Sequence, residues 1–326
     1  MPRLLIGVIA ILVATLALAS AQTPSIYKAP RTAWGDPDIS GLFTTDDELG
    51  VPFERQAQFR DRQFVTEEEY RQRLTQAERQ DEADREEFVA PRQGRGEGPG
   101  GTGPPAHWLE RGKPSHRTSL VIDPPDGRIP FLNDDARRRG AIAAMRTPEG
   151  IAFNGPEDLD RYDRCITRGF PHVIFPTFYD NTSQIVQGPG WVSMRYEMIH
   201  DARVIPLDRS PHVSPKIRSY FGDSRGSWDG ETLVVDVTNF SAKAGYRGAT
   251  TNLHVIERFR RTSAATVHYE LTVEDPTTIS RPWTASLDLK KDSRQVQVPE
   301  YACHEGNYAM FNILSGARAE ELRSKK

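Results

Sequence analysis

Residues 221–240 read FGDSRGSWDGETLVVDVTNF. Asp229-Gly230 stands between two β-rich runs, and Asp-Gly in that setting is a strong signal for a two-residue hairpin. The reading predicts a strand ending at Trp228, a turn at Asp229-Gly230 and a return strand from Glu231 to Asn239. On the return strand Leu233, Val235 and Val237 alternate with Thr232, Asp236 and Thr238, so one face is mainly apolar, and Asn239 falls at its end. A polar group closing an apolar row is costly to bury without a partner, so each such group in the chain is a candidate for function.

Downstream, the same alternation recurs in Leu253 to Arg261, Thr266 to Glu274 and Trp283 to Lys290. Leu253, Val255 and Phe259 share a row with the odd member Glu257; Val267, Tyr269, Leu271 and Val273 form the next; Trp283, Ala285, Leu287 and Leu289 the third. His268, Glu270, Thr272, Asp288 and Lys290 fall on the wet side. Upstream, strands are expected at Gln184 to Gly188, Gly190 to Ile199 and Ala202 to Leu207. Extending the period of two through Val192, Met194, Tyr196 and Met198 puts His200 on the apolar face, with Ser193, Arg195 and Glu197 opposite. These patterns predict a mainly β protein, an antiparallel meander closing into a barrel-like, lipocalin-like sheet. Tyr308, Phe311, Ile313 and Leu314 predict a C-terminal amphipathic helix lying against that sheet.

The N-terminal part reads differently. Arg3, the apolar run Leu4 to Leu18 and Ala19-Ser20-Ala21 form a signal peptide over 1–21, so the chain is expected to be exported, periplasmic or secreted, without a membrane span once cleaved. Residues 22–105 are expected to hold an extended arm with one short strand at Gly41 to Thr44, a charged helix from the capping box Thr66 and Glu69 to Glu87, and the glycine- and proline-rich linker PRQGRGEGPGGTGPP at 91–105. Residues 106–326 are then the β-rich body, expected to fold without the arm. Charged residues make up 27% and the net charge is -3, which gives no electrostatic case for a nucleic-acid surface. Cys165 and Cys303 are the two cysteines; an even count in an oxidising compartment favours a bridge, with two buried thiols as the alternative.

Motifs for assisted chemistry are missing. His304-Glu305 is not followed by a second histidine at the zincin spacing, no G-x-S-x-G elbow occurs, and the glycines of 94–103 follow no strand, so neither a metal nor a cofactor is expected. What remains is a constellation: His200, Asn239 and Glu257 on apolar rows, and His304, Glu305, Asn307 and Tyr308 beside Cys303. Glu257 or Glu305 is the candidate general acid and His200 or His304 the candidate base, with Tyr196, Arg195, Asn239, Asn307 and Tyr308 as substrate contacts. The competing reading is that each is a satisfied polar group holding the scaffold. The chain is thus read as enclosing a small apolar or aromatic molecule, either as a lyase, isomerase or hydrolase or as a carrier without turnover; an envelope interaction protein is the third reading.

The stretches DPDISG from Asp36, DPPDGRIP from Asp123, GDSRGSWDGETLVVDVTNF from Gly222, LHVIERFRR from Leu253 and CHEGNYAMFNILSGAR from Cys303 together resemble a large family of exported bacterial proteins of uncharacterised function. The resemblance spans nearly the whole mature chain. It implies a bacterial, periplasmic protein and brings no catalytic residues with it.

Overall fold

The hairpin forms, one residue later than expected. In a computed structural model that describes residues 27–89, 109–144, 153–293 and 295–325, β6 (Asp223–Asp229) pairs with β7 (Thr232–Thr238), Asp229 opposite Thr232. Gly230-Glu231 is therefore the loop. Gly230 takes φ 59°, which a glycine adopts without the clash a Cβ brings. Leu233, Val235 and Val237 are all buried, as the alternation requires. The expected signal peptide at 1–21 and the linker at 91–105 lie outside the described residues.

Around this hairpin stand β8 (His254–Ser263), β9 (Thr266–Glu274) and β10 (Trp283–Lys291) on one side. The rest of the sheet is β1 (Gly41–Thr44), β2 (Val121–Asp123), β3 (Thr182–Gly188), β4 (Trp191–Tyr196) and β5 (Ala202–Pro206). The order is β5-β4-β3-β1-β10-β9-β8-β7-β6, with every ladder antiparallel and β2 sharing the free edge of β10 with β1. The outermost strands β5 and β6 come back beside each other: a Cβ on Gly226 would meet Leu207 and Ile205 at 2.6 and 2.8 Å. The result is a mainly β, antiparallel meander nearly closed into a barrel. Its inner rows carry Val255, Phe259, Val267, Tyr269, Leu271, Leu287 and their neighbours at full burial.

The N-terminal arm is not separable from this body. β1 is the strand that joins the meander to β3, and Ile39 and Phe43 are buried at 0% and 1% exposure. Arg261 Nε and Nη2 donate to the carbonyls of Asp38 (2.7 Å) and Ser40 (2.6 Å), stitching the arm across one end of the barrel. The expected division after residue 105 is thus no division in packing: a sheet closing on itself needs a strand between β10 and β3, and the arm supplies it.

The helices are peripheral. α1 (Glu67–Val89) starts on the expected capping box, with Thr66 N–H donating to Glu69 Oε2 (2.7 Å) and Glu69 N–H to Thr66 Oγ1 (3.3 Å). α2 (Asp134–Ala144) follows β2, and its Arg138 and Arg139 pair with Asp135. α3 (Ala309–Ser324) was expected against the sheet, yet buries no residue. Its anchors are Arg318, donating to the carbonyls of Phe153 (2.7 Å) and Asn154 (3.1 Å), and the bridge before it. Its apolar side chains are spread around the helix instead of forming one core-facing stripe, with Phe311 72% exposed.

Candidate functional site

The odd member of the β8 row is fully committed. Arg203, inward on β5, donates Nη1 to Glu257 Oε2 and Nη2 to Glu257 Oε1, both at 2.6 Å, and Tyr269 OH donates to Glu257 Oε1 at 3.0 Å. Glu257 is 0% exposed. The Arg203 guanidinium also lies 4.2 Å from the centre of the Phe170 ring, and its charge is stabilised upward by Glu257 although burial opposes it. A forked, charge-assisted pair of this kind holds both oxygens as acceptors. The geometry of Glu257 is thus that of a cross-barrel tie, with both oxygens engaged by the protein's own donors. Tyr196, expected to touch substrate, is part of the same interior: its OH reaches Met194 Sδ at 3.7 Å, and burial pushes it up to about 12. The inward side of Arg203 was readable, since it shares a row with Ile205 on β5; its meeting with Glu257 was not.

His200 is elsewhere. β4 ends at Tyr196, and Met198–His200 make a tight turn in which Ile199 and His200 take φ 57° and 54°. Extending the strand period past Tyr196 fails there, so His200 is exposed on the outside instead of inside the sheet. Asn239 also leaves its strand, at φ 60°, and its Nδ2 donates to the Val213 carbonyl at 2.9 Å, so it anchors the preceding loop. Arg195 is exposed on the outer face of β4.

Of the second half of the expected constellation, His304 and Glu305 border one cleft together with His200, and Asn307 and Tyr308 do not line it. The Cys165–Cys303 bridge is present, with Cα atoms 5.8 Å apart, and beside it lies an open cleft of 280 Å³ lined by His200, Glu300, Tyr301, His304 and Glu305 with Ile199. Asn307 stands behind it, donating Nδ2 to the Asp163 carbonyl at 3.2 Å, and Tyr308 is 71% exposed at the head of α3. Tyr301 OH is 2.8 Å from Tyr162 OH, which is 3.1 Å from Tyr179 OH; burial pushes Tyr162 up to about 12. Next to His200, Asp201 accepts from the Arg168 N–H (2.7 Å) and Thr167 Oγ1 (2.9 Å), and burial raises it to about 6. Asp180, half-buried, is raised to about 7 by burial and by Glu197. Cys165, Ile199 and His200, which border the cleft, all have positive φ, as do Asp180 and four non-glycine residues elsewhere among those described.

What distinguishes the cleft is which side chains are unspent. On the outer face of the sheet His212 lies between Asp223 (2.8 Å) and Asp236 (2.8 Å), and His254 between Asp236 (3.0 Å) and Glu274 (3.0 Å). His268 lies between Asp288 (2.8 Å) and Glu270 (3.5 Å), and His116 reaches Glu67 at 3.3 Å. Hydrogen bonds to these acids raise His254, first through Asp236, and His268, first through Asp288, to about 9. This ladder was not anticipated, although His254 opposite Glu274 and His268 opposite Asp288 follow directly from the hairpin registers. Among the described residues the side chains of His200, His304, Glu300 and Glu305 have no hydrogen-bond or ion-pair partner, and all four border the cleft. No group of three or more His, Cys, Asp or Glu among the described residues is placed to hold a metal ion.

No family model matches the chain, and no curated protein does. Among solved structures the chain is similar to a secretary abundant heat soluble (SAHS) protein from Ramazzottius varieornatus. The identity is 12% and the TM-score 0.24, over 41% of this chain and 87% of that one. A likeness of that size carries no argument about this chain.

Proposed function

We propose that this protein binds a small molecule outside the cytoplasm, in the cleft over the Cys165–Cys303 bridge and not in the lumen of the barrel. The observation that carries the reading is the convergence of two unpartnered imidazoles, His200 and His304, with the unpartnered carboxylates of Glu300 and Glu305 at a covalently fixed junction. Donors and acceptors without internal partners can turn to a ligand without breaking a contact of the fold, at the cost of their hydration alone. The inner rows, by contrast, are filled by the protein's own side chains, with Glu257 and Arg203 tied across them. The disulfide supports an oxidising compartment, in keeping with the expected signal peptide. A ligand with both donor and acceptor groups suits the cleft better than the apolar one expected for a lumen.

The test is native mass spectrometry of residues 22–326 purified from the export route of producing cells, beside His200→Gln and His304→Gln. A retained small molecule that is lost in both variants supports the reading; retention unchanged in both overturns it. The His–Glu composition is also that of an acid–base pair, so consumption of the retained molecule on incubation turns the assignment to an enzyme with Glu305 as acid and a cleft histidine as base.

A further inference from the structure

Cys165 and Cys303 both line the cleft, and both are partly exposed. They are the chain's two cysteines, so no other thiol of the chain competes for either sulfur. Asn307 meets the bridge from behind, and its own contacts fix which way its amide points: the Ala309 N–H donates to Oδ1 at 3.2 Å, and Nδ2 donates to the Asp163 carbonyl at 3.2 Å. Nδ2 also donates to Cys165 Sγ at 3.3 Å. Among the described residues no such donor meets Cys303 Sγ.

The two sulfurs are therefore not equivalent. A disulfide opens when a thiolate attacks one sulfur and the other leaves as a thiolate, and it opens faster when the attacked sulfur is accessible and the leaving one is stabilised. An amide N–H gains little from a disulfide sulfur, a weak acceptor, and much more from a thiolate. Its place on Cys165 makes Cys165 the leaving sulfur and Cys303 the one attacked. His200 and His304, without partners, border the same cleft, and His304 directly follows Cys303. An imidazole there can take the proton of an incoming thiol, which is mostly un-ionised at neutral pH. Glu300 and Glu305 leave two carboxylates in the lining without a cation among the described residues, which favours a thiol that brings its own ammonium group. Opening the bridge uncovers no core contact of α3, which buries no residue.

We infer that the bridge is an exchange site for a small aminothiol, an activity that rests on the cleft reading for the thiol's approach. The thiol gives its proton to His304 or His200, its sulfur attacks Cys303 Sγ, the S–S bond breaks, and the electron pair leaves on Cys165 Sγ, where the Asn307 Nδ2–H stabilises it. The incoming sulfur is oxidised to a mixed disulfide with Cys303, the Cys165 sulfur is reduced, and the proton passes from the imidazole to the Cys165 thiolate or to water. The aminothiol is the one reactant the step requires.

The experiment treats the full mature chain with cysteamine, quenches with iodoacetamide and reads the products by peptide mass mapping; the same thiol acting on the chain unfolded in urea supplies the intrinsic rate. The folded bridge should open at least as fast as the unfolded one, with cysteamine on Cys303 and the alkyl label on Cys165. Asn307→Ala should slow the folded rate about tenfold and leave the unfolded rate unchanged, as loss of one charge-assisted hydrogen bond implies. His200→Gln/His304→Gln should slow it about tenfold near pH ~6.5 and little near pH ~8.5, where the thiol ionises by itself. The ratio of folded to unfolded rate should be at least about threefold higher for cysteamine than for mercaptoacetate. Where a variant fails to fold, the wild-type ratio and the labelled sulfur decide. Opening at least about tenfold slower in the folded chain than in the unfolded one, cysteamine on Cys165, or a rate unmoved by Asn307→Ala overturns the inference, and equal ratios for the two thiols overturn its aminothiol class. A retained molecule lost from both histidine variants while the bridge stays inert leaves the cleft reading standing and this inference fallen; a bridge that exchanges at Cys303 while that retention is unchanged shows the reverse.

Discussion

Two charge networks occupy opposite faces of the same strands, and they behave differently. Inside, Glu257 on β8 is locked to Arg203 and Tyr269 with no exposure. Outside, three residues earlier on the same strand, His254 belongs to the chain Asp223–His212–Asp236–His254–Glu274, where the imidazoles are 28% exposed and Asp236 45%. Each inner charge has given up its water, so the pair is stable only when complete: removing one partner strands the other in a medium that cannot solvate it. Each outer charge keeps part of its water, so the ladder titrates, loses strength with salt and can lose a member cheaply. The period of two makes both possible on one strand.

The largest expected effect breaks the inner network. Glu257→Gln keeps the shape but leaves Arg203 charged and buried, and should cost about 3–5 kcal/mol in urea unfolding. Replacing both partners by apolar residues, Arg203→Met with Glu257→Leu, should recover much of that loss; a cost of Glu257→Gln below about 1 kcal/mol would show that the pair is not the tie described.

The next effect belongs to the outer face and to pH. His254 and His268 stand at about 9 in the folded chain, against an ordinary value of about 6.5. A raised value means the fold favours the protonated ring, so this stabilisation is complete below pH 6.5 and is lost as pH rises through 9. Glu110, raised from 4.5 to about 8 mainly by burial, and Asp180, raised from 3.8 to about 7, act with the same sign but over an earlier window: the fold favours their neutral carboxyls, and stability is lost as pH climbs from 4.5 to about 8 and from 3.8 to about 7 respectively. His172, pressed down to about 3, has the opposite sign and weakens the fold only as pH falls below 6.5. Stability should therefore decline between pH 6.5 and 9, and the double variant His254→Gln/His268→Gln should lose about 1 kcal/mol per site at pH 6 and almost nothing at about pH 9.5. Melting curves across that range that keep the wild-type slope in the double variant would remove the ladder from the account.

The smallest effect is the one that sharpens the functional contrast. His304→Gln touches a ring with no partner among the described residues, so its melting temperature should stay within the shift that about 0.5 kcal/mol produces. A loss comparable to that of Glu257→Gln would make His304 part of the scaffold and empty the cleft of its argument.

Much of the sheet was legible beforehand because alternation reports a local fact. The rows of Leu233, Val255, Val267 and Leu287 follow from which residues avoid water, and the capping box at Thr66 and Glu69 needs only four neighbouring residues. His200 was misplaced because the period of two holds only while the chain stays extended, and nothing in Glu197-Met198-Ile199-His200 announces the positive φ values that turn it outward. The clustering of His304 and Glu305 with Cys303 was visible as adjacency. Their meeting with His200 depended on a bridge spanning 138 residues.

By itself the sequence determined the strands, their inward rows, the charged helix and the two cysteines free to pair, since each depends on contacts a few residues long. Tertiary structure decided that the arm's Gly41–Thr44 lies between β10 and β3, that Glu257 meets Arg203, and that His200 and His304 share one cleft. The physical reason is that a barrel closes by pairing strands remote in sequence, and a buried charge is defined by the partner closure brings to it, which no local pattern contains.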